Sequence, residues 1–106
     1  MATLYVTEFK VLNPTPRSWG VQQFFPYAAQ PPVAEQTVAI GGTSMASNAF
    51  NAATAYVRLH TDAICSIEFG ATPTAAATTA RMAAGQTEYY AVPLGQAFKV
   101  AVITNT

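Results

Sequence analysis

Ser44, His60 and Asp62 are the residue types in this chain with which nucleophilic chemistry could be done. A serine hydroxyl attacks well only when a histidine takes its proton and a carboxylate orients that histidine. Ser44 stands in Gly42-Thr43-Ser44-Met45-Ala46-Ser47, and His60 and Asp62 are two positions apart, so a continuous strand would put both on one face. His60 is the single histidine and Asp62 the single aspartate, so spacing alone does not exclude a convergent triad with Ser44. Metal ligation has less to draw on, because His60 and the lone Cys65 come without a cluster of carboxylates. Glu68 and Glu88 could be paired as a glycosidase-like couple only by choosing two of five acidic residues with no cleft to recommend them.

The Ser44 hexapeptide resembles the serine motif of subtilisin-like proteases. In that family the aspartate and histidine precede the serine, whereas His60 and Asp62 both follow Ser44. The family's aspartate and histidine motifs are absent, Asn48 stands where its serine motif has proline, and 106 residues are too few for its α/β fold. Ser44 is therefore expected to be a turn residue in a Gly-Gly-Thr-Ser loop. His60 is expected at a strand end on the surface, with Asp62 capping the turn that follows. No enzyme and no cofactor is expected.

Trp19, Phe24, Phe25 and Tyr27 form the cluster with the most room for function. They sit among Gly20, Pro26, Pro31 and Pro32 without a clear period, so residues 13–32 read as a loop or arm. Such aromatics plug a core, anchor a subunit interface or stack on a sugar ring; all three remain open.

The elements that would position these groups are short strands. Residues 3–11 alternate, with Tyr5, Thr7, Phe9 and Val11 opposite Leu4, Val6, Glu8 and Lys10. Asn13-Pro14-Thr15-Pro16 ends that strand. Further strands are expected over 33–40, 54–60, 64–69, 81–82, 88–92 and 98–103, with 49–53 a short strand or a helical turn. Residues 54–60 place Ala55, Val57 and Leu59 opposite Tyr56, Arg58 and His60. Thr61-Asp62 is expected to join 54–60 to 64–69 as a hairpin, and Pro93-Leu94-Gly95 to join the last two strands likewise. Arg58 and Glu68 would then pair across neighbouring strands. Cys65 shares a face with Ile67 and Phe69 and is expected to be a buried, inert thiol. Residues 74–79 are an Ala/Thr loop of low complexity. The whole reads as all-β, one antiparallel β-sandwich or jelly-roll-like domain of about eight short strands spanning residues 1–106.

Composition narrows the partners. Charged residues are 9% of the chain, against roughly a quarter in an average soluble domain. A surface so poor in charge has little electrostatic protection from association, so burial against other subunits is expected. Lys10, Arg17, Arg58, Arg81 and Lys99 are scattered singly, which excludes the clustered cations that a phosphate backbone requires; no nucleic acid is expected. No run approaches the ~18 apolar residues of a membrane span, and the first residues lack a signal-peptide core, so no membrane is expected and synthesis is expected in a cytoplasm.

Several segments together resemble a family of small phage and prophage virion proteins. They are Glu35-Gln36-Thr37-Val38-Ala39-Ile40-Gly41, Val57-Arg58-Leu59-His60-Thr61-Asp62-Ala63 with Cys65 and Phe69-Gly70, and Met82-Ala83-Ala84-Gly85-Gln86-Thr87-Glu88-Tyr89. Val92-Pro93-Leu94-Gly95 and Lys99-Val100-Ala101-Val102-Ile103 complete the resemblance, which covers roughly residue 33 to the C-terminus. It implies a β-sandwich capsid decoration or cement protein made in the host bacterium. Such a protein sits on the capsid surface, with the major capsid protein and copies of itself, as a trimer, for partners. A receptor- or glycan-binding module of a head fibre or tail is the alternative. The resemblance carries no catalytic residues, and residues 13–30 fall outside it.

Overall fold

Period-two alternation of apolar and polar side chains produces eight strands and no helix among the described residues of the computed structural model, which are 2–10 and 31–105. They are β1 (Thr3–Lys10), β2 (Ala34–Ala39), β3 (Met45–Ala46), β4 (Thr54–Thr61), β5 (Cys65–Gly70), β6 (Ala80–Met82), β7 (Thr87–Ala91) and β8 (Lys99–Thr104). They make two antiparallel four-stranded sheets, ordered β2-β1-β4-β7 and β3-β8-β5-β6. The two share one core. Leu4, Val6, Val38, Val57 and Leu59 from the first sheet meet Cys65, Ile67, Met82, Val100 and Val102 from the second.

The pairings nest. β5 pairs with β6, β4 with β7 and β3 with β8, so the chain from β3 to β8 runs as one long folded-over hairpin. β1 then fills the place between β2 and β4. Nesting corrects both expected hairpins. β4 already has β1 and β7 on its two edges, so β5 cannot join it and crosses to the other sheet. The corner is closed by Thr61, whose hydroxyl donates to the Ala63 carbonyl at 2.6 Å, while Asp62 N–H donates to Thr3 O at 3.1 Å. Thr61 thus does the capping expected of Asp62. The Pro93-Leu94-Gly95 turn forms, but it too carries the chain across, from β7 to β8 in the opposite sheet. Gly95 (φ 69°) and Ala97 (φ 54°) supply the left-handed backbone for that swing. Arg58 and Glu68 consequently lie on different sheets and do not face each other.

The third strand is Met45–Ala46, not residues 49–53, and it is held by what flanks it. Ser47 N–H donates to Val100 O at 2.8 Å and its hydroxyl accepts from Val100 N–H at 3.0 Å. The 74–79 loop also has a structural task. Ser66 and Ala101 point away from the shared core yet are fully buried, and Ala75 is 3% exposed. Ala75 N–H donates to Ser44 Oγ at 2.9 Å, and Asn105 Nδ2 bridges Ser66 Oγ and the Ala77 carbonyl. The loop therefore lies over the outer face of the second sheet, where alanine and threonine allow close approach.

One buried carboxylate ties the two sheets' connections together. Glu8, 2% exposed, points inward in phase with Leu4 and Val6. It accepts from Asn51 N–H at 2.8 Å, Thr54 Oγ1 at 2.7 Å and Gln36 Nε2 at 3.2 Å. Replacing Glu8 by Ala strands these donors and leaves a cavity, so a loss of about 3 kcal/mol is expected in urea unfolding, and a smaller one for Glu8→Gln, which keeps an acceptor oxygen. Ala97→Gly removes the positive-φ penalty and should raise stability by about 1 kcal/mol, read as a higher urea midpoint at unchanged slope.

Candidate functional site

The second sheet is covered by its own loop, whereas the first exposes part of its outer face, at Tyr5 and Tyr89, with Phe9 on the same face buried. Residues of β1, β2, β4 and β7 that point away from the core line up in cross-strand rows, because antiparallel register sets them side by side. One row is Thr37, Tyr5, His60 and Thr87; the next is Glu35, Thr7, Arg58 and Tyr89; a third brings Phe9 beside Tyr56 and Ala91. Tyr5 is 43% exposed and Tyr89 57%.

Thr7 is the small residue among large ones, and the hollow it leaves is an open groove of about 600 Å³ lined by Tyr5, Thr7, Glu35, Thr37, Arg58 and His60. The Tyr5 and His60 rings form one wall, with centroids 6.2 Å apart and planes tilted by 45°. His60 is held by a 2.8 Å hydrogen bond between Nδ1 and Thr87 Oγ1, which leaves Nε2 for a ligand. Arg58 is half-buried and has no hydrogen-bond or ion-pair partner among the described residues. Beyond it the face becomes aromatic: Phe9 stacks on Tyr56 at 5.1 Å and 21°, and Tyr56 meets Tyr89 at 6.5 Å. A guanidinium, a fixed imidazole, a phenol and a carboxylate thus converge on one groove. That set recognises ligands through charge and stacking.

The residues singled out for catalysis are not brought together. Ser44 precedes β3 at the edge of the second sheet and its hydroxyl accepts from Ala75 N–H, so it clasps the covering loop. His60 belongs to the first sheet and is bonded to Thr87, and Asp62 is exposed in the β4–β5 corner. Glu68 and Glu88 are likewise on different sheets, with Glu88 accepting from Gln86 Nε2 at 2.6 Å. No group of three or more metal-ligating side chains occurs among the described residues. Trp19, Phe24, Phe25 and Tyr27 lie outside the described residues. The groove residues were missed because their signal is distributed over three strands. Each strand shows the right alternation, but only the pairing makes one surface of them.

Comparison with protein-family models, with curated proteins and with solved structures finds no match for this chain.

Cys65 is fully buried against the core, as its period with Ile67 and Phe69 implies. Burial pushes its thiol pKa up, opposed by the weaker effect of the Thr61 hydroxyl, and burial also raises Tyr90. Both groups are held neutral by folding, so the folded chain retains protons that the unfolded chain gives up. Their stabilisation is complete below the ordinary thiol value and is lost as pH rises through the elevated folded values. Unfolding free energy should therefore fall as pH climbs above 9.0, and Cys65→Ala should flatten that slope in urea titrations at stepped pH.

Proposed function

We propose that this chain is a structural subunit of a bacteriophage virion, a capsid decoration or cement protein that works with copies of itself and the major capsid protein. The fold reading behind this is a jelly-roll sandwich. Two sheets ordered β2-β1-β4-β7 and β3-β8-β5-β6 have jelly-roll strand order once the strand that ordinarily closes the chain is placed first, as β1. The resemblance of residues 33 onward to small phage proteins supports the same class.

The observation that carries the proposal is the edge at β7, which pairs with no further strand among the described residues. Val92 N–H donates to Ala55 O and Thr61 N–H to Gln86 O, so even-numbered residues from 86 to 92 turn their backbone groups toward β4. By alternation Thr87, Tyr89 and Ala91 turn theirs to the free side. Isolated domains blunt such edges with lysine, proline or a bulge. The five-residue segment Thr87–Ala91 has no lysine, proline or bulge, and its one charge, Glu88, is half-buried and accepts a hydrogen bond from Gln86 Nε2. An edge of this kind suits strand addition from a capsid subunit, with main-chain hydrogen bonds for affinity and the exposed Tyr89 ring as anchor. Repetition over a symmetric shell multiplies a modest contact into a firm one.

Mass spectrometry of purified virions of the phage that carries the gene should find the chain at a fixed ratio to the major capsid protein; its absence retires the proposal. Tyr89→Pro removes one outward N–H without touching the β4 ladder. This variant should keep the circular dichroism of the parent and lose at least tenfold in binding to capsids lacking the protein.

A further inference from the structure

The geometry points to the outer-face groove of the first sheet as a binding site for a carboxylate-bearing saccharide, of the uronic or sialic acid kind. This inference is independent of the strand edge and of the virion role. It begins with Arg58. A guanidinium in the second residue row, half-buried, has lost part of its hydration and gained no anion among the described residues in return. Its planar fork matches a carboxylate or another oxyanion in two parallel hydrogen bonds.

The rest of the groove selects the kind of anion. Tyr5, 43% exposed, with the His60 ring 6.2 Å away offers an aromatic wall of the sort that stacks on the C–H face of a pyranose. On the far side of Thr7 stands Glu35, two strands from Arg58 and so roughly 10 Å away across the sheet. A carboxylate is a hydroxyl acceptor, and that spacing spans one sugar ring with its hydrogen bonds. Thr37 and the free Nε2 of His60 add further hydroxyl partners. A polyanion is disfavoured by Glu35 itself, which faces the same groove as the single arginine. A neutral sugar would leave Arg58 without its counterpart. At about 600 Å³ the groove has the size of an ordinary small-ligand site, and its openness suits a terminal sugar on a longer chain.

The test is an NMR titration of the full chain with sialyllactose and with methyl glucuronide, each carrying one carboxylate, against lactose and inorganic phosphate as controls. At least one acidic saccharide should shift the backbone amides of Tyr5, Thr7, Arg58 and His60 in a saturable way. Lactose should shift them at least tenfold more weakly at equal concentration. Arg58→Ala should abolish the effect, Arg58→Lys should weaken it, and Lys99→Ala on the second sheet should leave it intact. All three variants should keep the parent's urea midpoint. Absence of shifts with both acidic saccharides overturns the inference. So do equal binding of lactose, shifts that phosphate reproduces alone, and binding that survives Arg58→Ala in a folded protein.

Discussion

The buried carboxylate of Glu8 is the constraint on which the packing of this domain turns. A charged acceptor cannot be left in an apolar core without donors, since each missing hydrogen bond there costs on the order of 1–3 kcal/mol. Glu8 obtains its donors from β2 through Gln36, from the turn before β4 through Asn51, and from β4 through Thr54. Gln36 then passes the tie onward: its Oε1 accepts from Asn48 N–H at 2.8 Å and its Nε2 donates to the Asn48 carbonyl. Ser47, the next residue back, bonds the backbone of β8 in the second sheet. One side chain in β1 thereby sets where the chain leaves the first sheet, touches the second and returns. No buried side-chain polar atom among the described residues is left without a partner, which is what such a relay achieves.

The two sheets differ in how their outer sides are closed. The second sheet is closed on its outer side by the Ala/Thr loop, clasped by Ser44 and Asn105, so that Ser66 and Ala101 are buried on both faces. The first sheet has Tyr5, Arg58, His60 and Tyr89 on its outer side, a set too large and polar to lie beneath a tight loop. A groove forms there because Thr7 is short and its neighbours are long. The β7 edge, which pairs with no further strand among the described residues, belongs to the same sheet, so both proposed contact features lie on one half of the domain.

Much of this architecture was legible in the residues. Alternation located seven of the eight strands near their observed places, and it put Glu8 in phase with Leu4 and Val6, and Cys65 in phase with Ile67 and Phe69. It missed Met45–Ala46, because a two-residue strand held by Ser47 and β8 has no period of its own to show. The corners at Asp62 and Pro93 were read as hairpins because turn residues report a change of direction and nothing about the destination. Whether the chain folds back beside itself or crosses to another sheet depends on which edges are already taken.

By itself the sequence determined the class of structure and the face on which each side chain of a strand lies. Both follow from local sterics and from the cost of wetting apolar groups, and those act on residues close together in the chain. Only the tertiary structure decided that β4 sits between β1 and β7, that Ser44 clasps a loop instead of facing His60, and that Arg58 shares a groove with Tyr5 and Glu35. Backbone hydrogen-bonding groups are the same for every residue but proline, so strand neighbours are chosen mainly by the packing of the whole core.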